Sequence, residues 1–234
     1  MILVLVALYD EAFPLLRKLN FFRMHGISLY QGRLFGQESA LALIGAGVAR
    51  KMRLLKLMKD ISAQYVINIG FAGALRQGLQ VGEGYVVDRF VMLRQQEKEL
   101  KTSLLQKVSL SRLTLLTHHE LIEQSQERLE LYDLIGADLI DMEGYFLVQL
   151  LEEARLTKRF LCIKIVGDNL QDSVYLKWEK NFRSFFKEKS ILRRAGVILR
   201  TGLYPSLYVY QRKRFLQEQL VHYLEYIFKK LSHH

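Results

Sequence analysis

The sequence predicts an α/β fold, a three-layer α/β/α sandwich with a central mixed sheet. Short apolar runs rich in β-branched residues recur along the chain, and such runs are typical of buried strands. Amphipathic stretches with helical periodicity separate them. Strands that alternate with helices build a sheet covered on both faces. No Gly/Ser-rich linker divides the 234 residues, so we expect a single domain over 1–234 with a basic helical C-terminal region from about 173 to 234.

The apolar runs and turn residues place the individual elements. We predict strands at these positions: 2–7, 26–35, 39–46, 65–70, 84–93, 112–118 and 160–166. We predict helices at these: from Pro14 to about Leu19, 50–58, 119–134, 144–155, and most of the C-terminal region. A polar turn near Gly36 joins the second and third strands. An apolar stripe at spacings of three and four, from Phe215 to Leu231, predicts a C-terminal helix that faces the core.

The charge is concentrated in the last quarter of the chain. The net charge is +10, and residues 177–234 contain 13 Lys and Arg against 4 Asp and Glu. Such asymmetry favours an anionic partner. Because no nucleic-acid module is recognisable, nucleic acid is disfavoured. Aromatic residues mixed with Lys and Arg over 177–214 favour an anionic membrane surface, and the alternative is a solvated basic face over a buried Phe stripe.

Cysteine usage and hydropathy exclude several classes of protein. The single cysteine, Cys162, lies in the apolar run "FLCIKIV", which predicts a buried, inert thiol and excludes a disulfide scaffold or a cysteine metal site. No apolar run approaches the roughly 18 residues of a membrane helix. The N-terminus lacks the basic segment and cleavage site of a signal peptide. We therefore expect a cytoplasmic protein, associated with a membrane at most at its surface, that uses no metal or cofactor.

Acidic residues and a glycine-rich stretch follow four of the predicted strands. Asp10 and Glu11 follow the first strand, "GFAGALRQG" follows the strand at 65–70, Glu143 opens the helix at 144, and Asp168 follows the strand at 160–166. Each alone is equally well a helix-terminus charge, a turn or an N-cap. Ligands of α/β sheets bind beyond the carboxyl ends of strands, so the coincidence of four predicts one cleft.

The order of these motifs resembles the nucleoside phosphorylase/nucleosidase superfamily. The matching stretches are, in order, "ALYDEAFPLL", "IGAGVARKMRLL", "VINIGFAGALRQGLQVGEGYVVD", "DMEG" and "IKIVGDN". The closest pattern is that of the methylthioadenosine/S-adenosylhomocysteine nucleosidases. The resemblance covers residues 1 to about 172, and beyond that only a terminal helix matches. It implies a nucleoside phosphorylase-like fold, and an oligomer, a homodimer in particular, as family members commonly form.

The resemblance also implies a reaction, cleavage of the N-glycosidic bond of a purine nucleoside. Asp168 matches the acid that serves the purine N7, and Glu11 matches the glutamate that orients the attacking water. Positioned acid–base groups of this kind typically contribute about 10²–10⁴-fold each. No metal enters this chemistry.

Five further positions match the family's substrate-binding residues. Glu143 matches the glutamate that grips the ribose hydroxyls, because a carboxylate makes strong charge-assisted hydrogen bonds to a diol. Met142 matches the residue that packs on the sugar. Phe71, Ala72 and Gly73 match the loop beside the base and the ribose.

The choice of nucleophile depends on phosphate binding. The phosphorylases bind phosphate with arginines, beginning at a glycine-rich N-terminal stretch, whereas this chain has the acidic pair of "ALYDEA" there, which favours water. Arg50 and Arg76 are equally well surface charges. Phe71 and Gly167 both stand where the nucleosidases usually carry serine, which leaves the base specificity open.

Three functions therefore remain open. The first is hydrolysis of a purine nucleoside, as by methylthioadenosine/S-adenosylhomocysteine nucleosidases or futalosine hydrolases. The second is a membrane-associated phosphorylase or hydrolase that acts on a lipid-linked adenosyl nucleoside, as the hopanoid-associated members do. The third is a homologue without catalysis that binds a nucleoside or docks on a membrane.

Overall fold

A computed structural model describes residues 1–17, 19–45, 51–172 and 203–232. These residues form the following ten strands: β1 Ile2–Val6, β2 Leu19–Met24, β3 Ile27–Leu34, β4 Gln37–Leu43, β5 Tyr65–Ala74, β6 Gly84–Val91, β7 Lys98–Glu99, β8 Arg112–Thr117, β9 Leu139–Asp141 and β10 Phe160–Asp168. They also form a 3-10 helix at Thr157–Arg159 and six α-helices: α1 Tyr9–Leu16, α2 Lys51–Asp60, α3 Leu104–Lys107, α4 Ser125–Ile135, α5 Gly144–Glu153 and α6 Leu203–Ser232.

The ten strands form one mixed sheet. Its open part runs in the order β2-β3-β4-β1-β5, in which β1 pairs in parallel with both β4 and β5. Its other part is a closed ring, because β5 pairs with β9, β9 with β8, β8 with β6, β6 with β10, and β10 again with β5. Strand β5 belongs to both parts and is therefore the centre of the molecule.

Helices cover both faces of this sheet, which confirms the predicted α/β sandwich. One core packs α2 and α5 on the sheet, with Leu57 and Leu150 fully buried in it. The other core packs α1, α3 and α6 on the opposite face, with Leu15 and Leu224 buried. The alternation of side chains along β10 divides its residues between the two cores.

The C-terminal helix confirms the apolar stripe in part. Six of the eight predicted positions are buried: Leu216, Leu220, Leu224, Ile227, Phe228 and Leu231. Val221 is partly buried, and Phe215 is 43% exposed. No helix among the described residues is long and apolar enough to cross a membrane. Residues 173–202, which carry much of the predicted basic region, lie outside the described residues.

The prediction that Pro14 opens a helix is wrong. Helix α1 begins at Tyr9, with Pro14 inside it, and Leu19 already belongs to β2. A proline lacks the N–H that would donate to the carbonyl four residues earlier. Here the Asp10 carbonyl instead accepts a 2.6 Å hydrogen bond from Gln217 Nε2 of α6. The packing of α6 thus makes an interior proline tolerable in α1.

Other boundaries also differ from the prediction. Strand β5 continues through Ala74, so "GFAGA" is strand and not turn. Asp168 is the last residue of β10 and does not lie beyond it. The helix predicted over 119–134 begins at Ser125. Parallel pairing of β5 with β10 as far as Gly73 explains the longer strands.

Candidate active site

A buried lysine lies at the centre of the carboxyl-end edge of the sheet. Lys164 is on β10, opposite Gly70 of β5. Its Nζ lies 2.8 Å from Asp141 Oδ2 and 2.8 Å from Glu143 Oε1. The Lys164 side chain is fully buried, and both carboxylates are nearly so. A buried ammonium is stable only with such partners, so these three residues form one ion cluster.

Asp141 also fixes the start of helix α5. Its Oδ1 accepts the backbone N–H of Gly144 at 3.1 Å and the hydroxyl of Thr117 at 2.8 Å. The free N–H groups of a helix start favour an anion. Glu143 is the N-cap residue itself, and its Oε2 takes no hydrogen bond from the described residues. The side chain is therefore held by one oxygen and presents the other.

Glu11 joins this cluster from α1. It is 6% exposed, and its Oε2 accepts the N–H of Leu8 at 3.0 Å while Oε1 accepts the N–H of Phe71 at 3.2 Å. A Cβ on Gly70 would lie 3.5 Å from Glu11 Oε1, at ordinary van der Waals distance. The Glu11 carboxylate therefore packs against β5 at Gly70, the residue opposite Lys164.

The ionisation of the cluster follows from burial and mutual charge. Burial, together with the charges of Asp141 and Glu11, raises the pKa of Glu143 to about 7 against the lowering effect of Lys164. Burial likewise raises the pKa of Glu11. Burial alone would lower the pKa of Lys164, but Asp141 and Glu143 raise it well above its ordinary value. The lysine therefore stays charged, and Glu143 titrates near neutrality.

A second ion pair lies three residues further along β5. Arg128 of α4 is 1% exposed, and its Nη1 donates to Asp168 Oδ2. Its Nε donates to the Ile122 carbonyl at 2.8 Å. A Cβ on Gly73 would lie 3.1 Å from Arg128 Nη1 and 3.2 Å from Asp168 Oδ2. Gly73 therefore leaves the space in which this pair sits.

A β-bulge aims Asp168 at this position. The register of β10 against β5 shifts between Val166 and Asp168, so that Asp168 pairs with Gly73 while Val166 pairs with Ala72. The extra residue of the bulge is Gly167. A bulge re-aims the side chain that follows it, and here the acid is turned toward Arg128.

The two departures from the nucleosidase pattern contact each other. A Cβ on Gly167 would lie 3.2 Å from Cβ of Phe71, which is tighter than ordinary van der Waals contact. The absence of a side chain at Gly167 therefore leaves the space that Phe71 occupies. The two positions behave as one packing unit and not as two independent losses of a hydroxyl.

The structure brings most of the predicted residues to one edge of the sheet. Glu11 and Glu143 meet around Gly70, while Asp168 lies against Gly73; at about 3.3 Å per strand residue, the two places are about 10 Å apart along β5. Phe71 and Ala72 lie between them. Met142 is half-buried between Asp141 and Glu143. Arg76 pairs with Asp138 at 2.6 Å, and Arg50 lies outside the described residues.

Three site residues were not predicted: Lys164, Asp141 and Arg128. Lys164 is a lone charge in the apolar run "FLCIKIV", and that pattern is a usable signal because buried lysines need partners. Asp141 precedes Glu143 by two residues in the same quoted motif. Arg128 lies in a helix with charges on every side, where nothing marks it as buried. Among the described residues, no group of His, Cys, Asp and Glu is arranged to hold a metal ion.

Comparison with known proteins agrees with this geometry. Residues 1–103 match the family model of the phosphorylase superfamily. The chain resembles this superfamily in sequence and fold. The resemblance stated from the motifs is thereby confirmed. No curated protein matches the chain by sequence.

Solved structures show a likeness in fold over nearly the whole chain. The 5'-methylthioadenosine/S-adenosylhomocysteine nucleosidase of Neisseria meningitidis, in complex with methylthio-immucillin-A, aligns with a TM-score of 0.70 and 15% identity over 97% of this chain and 98% of its own. The corresponding nucleosidase of Colwellia psychrerythraea 34H, in complex with adenine, gives 0.63 and 16% over 94% and 95%. The futalosine hydrolase of Helicobacter pylori gives 0.59 and 16% over 72% and 84%. At these identities the likeness establishes the fold.

Proposed function

We propose that the protein hydrolyses the N-glycosidic bond of a purine nucleoside. The observation that carries the proposal is the buried cluster of Glu11, Glu143 and Asp141 around the single cation Lys164. Departure of the base leaves an oxocarbenium-like sugar, and fixed negative charge in a dry site stabilises such a cation. The superfamily match and the nucleosidase and hydrolase neighbours support the same reaction.

In this proposal, Glu143 holds the ribose. Its Oε1 is fixed by Lys164 at 2.8 Å, which leaves Oε2 to accept the sugar hydroxyls through strong charge-assisted bonds. Met142 packs on the sugar beside it. Phe71, Ala72 and Gly73 form the β5 wall along which the nucleoside lies.

Glu11 is proposed to orient the attacking water. Two backbone N–H groups already fix its carboxylate, so the Glu11 side chain loses little conformational entropy when the substrate binds. Water is favoured over phosphate because the cluster has three carboxyl groups around one ammonium. A phosphate dianion at this place would meet net negative charge.

Asp168 is proposed to face the base at N7. Its pairing with Arg128 stabilises the carboxylate form. As a carboxylate it accepts a hydrogen bond from a protonated N7 and does not supply the proton. This assignment places base and ribose at the two ends of the site.

An assay of base release tests the proposal. The protein is incubated with methylthioadenosine, adenosine, inosine and an adenosyl lipid, and free base is quantified by chromatography. We expect release from at least one soluble nucleoside, and an Asp168→Asn variant that is slowed at least about 10-fold. Binding of nucleosides without release from any of them would favour the non-catalytic alternative. Release from the adenosyl lipid alone would favour the lipid-linked one.

We also propose that the protein is cytoplasmic and docks on anionic membranes through residues 177–214. Of this range, 203–214 lies among the described residues. There Tyr210 is 53% exposed, next to Lys213 and close to Tyr9 and Phe13 of α1, both also exposed. Aromatic rings beside cations suit the interface of an anionic bilayer. Vesicles with and without anionic lipid, sedimented at low and high salt, test this; equal binding to both would contradict it.

A homodimer is the proposed assembly. Strand β2 is an edge strand, and its Phe21 and Phe22 are 59% and 48% exposed. An exposed edge strand has unpaired backbone N–H and C=O groups, and one with large apolar side chains can pair with the same strand of a second chain. Sedimentation velocity over a concentration series tests the assembly, with a Phe21→Ser, Phe22→Ser double variant expected to be monomeric. A wild-type chain that stays monomeric throughout would contradict the proposal.

A further inference from the structure

The Arg128–Asp168 pair contains a donor that nothing in the described structure satisfies. Arg128 Nη2 is buried and has no hydrogen-bond partner, although Nη1 and Nε are both bonded. An unpaired buried donor of a charged group is costly, and native proteins rarely leave one without a reason. Arg128 Nη2 therefore has a hydrogen bond still to donate, and an acceptor on a bound molecule would satisfy it.

The position of Nη2 limits what that molecule is. Nη2 lies beside Gly73, where a Cβ would be 3.2 Å from it and equally far from Asp168 Oδ2. Gly73 thus brings a guanidinium donor and a carboxylate acceptor side by side at one point of β5. Asp168, with 14% of its side chain exposed, is the more accessible of the two. A ligand that satisfies both groups presents an acceptor directly next to a donor.

We propose that Arg128 and Asp168 together read the 6-position of the purine and select a 6-oxopurine. This inference rests on the proposed nucleoside hydrolysis and names its substrate class. In a 6-oxopurine that carries a proton on N7, the O6 acceptor lies next to the N7–H donor. O6 accepts from Arg128 Nη2, and N7–H donates to the Asp168 carboxylate. Arginine reads O6 of guanine in nucleic acids by the same complementarity.

A 6-aminopurine does not satisfy the same pair. Its 6-amino group is a hydrogen-bond donor and cannot accept a hydrogen bond from the guanidinium of Arg128, so Nη2 remains unpaired. Sites built to hydrogen-bond one group discriminate strongly against a substrate that leaves their buried polar atoms unsatisfied. The Arg128–Asp168 pair therefore disfavours adenine.

The arrangement also accounts for the departing base. Water forms a bond to C1′, the C1′–N9 bond breaks, and its electron pair passes into the purine ring. N7 takes one proton from solvent, and the attacking water loses one to solvent, so the sum is nucleoside plus water giving sugar plus neutral base. The Arg128 charge next to O6 stabilises the negative charge that the ring acquires before it is protonated.

Binding of free bases to the wild-type protein tests the inference without turnover. Hypoxanthine, adenine and unsubstituted purine are titrated by calorimetry. We expect hypoxanthine to bind at least about 10-fold more tightly than either of the others, the discrimination typical of one well-made polar contact to a base. Equal or tighter binding of adenine overturns the inference, as does the absence of binding by any base.

Variants then assign the preference to Arg128. We expect Arg128→Met to lose the preference for hypoxanthine over purine and Arg128→Lys to retain part of it. Arg76→Met is the matched control, because it removes an arginine paired with Asp138 that does not contact Asp168; it is expected to keep the preference. If Arg128→Met does not fold, the wild-type comparison of hypoxanthine with purine decides alone.

The same data separate this inference from the proposed function. A protein that binds hypoxanthine preferentially but releases no base from inosine or from any other nucleoside supports the 6-oxopurine site and contradicts hydrolysis. A protein that releases adenine from adenosine faster than hypoxanthine from inosine supports hydrolysis and overturns the 6-oxopurine site.

Discussion

At the scale of single residues, Lys164 determines the chemistry of the site. A lysine with no exposed surface is tolerated because Asp141 and Glu143 each lie 2.8 Å from its Nζ. The charge of Lys164 also opposes the burial that raises the pKa of Glu143. The residue that makes the site possible is thus one that takes no direct part in the proposed reaction.

Replacing Lys164 by Met is expected to destabilise the protein by about 3–5 kcal/mol at pH 8, because breaking a buried pair leaves an uncompensated charge. Burial raises the pKa of Glu143 to about 7 even with Lys164 present, and the pKa rises further without it. As the pH falls to 5, Glu143 takes up a proton and the penalty shrinks. Urea unfolding of both proteins at pH 5 and pH 8 measures this. A penalty that is the same at both pH values would contradict the ion cluster.

The ionisation of the Glu143 carboxyl group predicts how activity depends on pH. Only its carboxylate accepts the ribose hydroxyls, and its pKa is about 7 in the free protein. We therefore expect kcat/KM to rise roughly tenfold per pH unit below 7 and to level off above it. Glu143→Gln is expected to be about 10- to 100-fold less active and to lack this rise. A flat wild-type profile between pH 5.5 and 8 would contradict the assignment.

Some residues of the candidate site could be predicted from the sequence, and others could not. Glu11, Glu143 and Asp168 stand at strand ends in a recognisable order, so their convergence on one edge was predictable. The burial of Lys164 could be predicted, because it is a single charge in an apolar run. The burial of Arg128 could not be predicted, because a charged helix does not show which of its charges faces inward. Only the packing of α4 on β5 buries this residue.

At the scale of elements, the bulge in β10 couples two side-chain positions. Gly167→Ser places a Cβ 3.2 Å from Cβ of Phe71, and overpacking of this kind typically costs about 1–3 kcal/mol. We expect Phe71→Ser, which removes the ring, to recover part of that loss in the double variant. Thermal unfolding of the two single variants and the double variant forms a cycle. Strictly additive effects would show that the two positions are independent.

Helix α6 is clamped to the end of β10 by one arginine. Arg212 bonds both oxygens of Asp172, at 3.0 and 2.5 Å, and the Gly167 carbonyl at 3.2 Å. Arg212→Met is expected to cost about 2 kcal/mol and to speed hydrogen exchange at the start of α6. The control Arg214→Met removes an exposed pair with Glu218 and is expected to change little. Equal effects of the two variants would contradict the clamp.

Element boundaries were less predictable than element types. The sequence indicates seven of the ten strands and misses β2, β7 and β9. It also does not show that β5 continues through "GFAGA", since glycine and alanine favour a turn locally. Pairing with β10 overrides that preference. The start of α1 was misjudged for a similar reason, because the bond that compensates Pro14 comes from Gln217, about 200 residues away in the chain.

At the scale of the whole molecule, the fold brings distant segments to one edge. Strand β5 lies between the open sheet and the closed ring, so its carboxyl end meets α1 from the first and β9 and β10 from the second. Alternating apolar runs predicted the layers. The ring closure through β10 was not predictable, because pairing partners depend on register and not on the apolar pattern alone.

The central claim, hydrolysis of a purine nucleoside, is tested most directly by the sugar product. The protein is incubated with inosine and adenosine in the presence and absence of phosphate, and free ribose and ribose 1-phosphate are quantified alongside the base. We predict base and free ribose in equal amounts, at a rate that phosphate does not raise. Ribose 1-phosphate formed only with phosphate would contradict the proposed hydrolysis, as would no release of base from any of inosine, adenosine and methylthioadenosine under any condition.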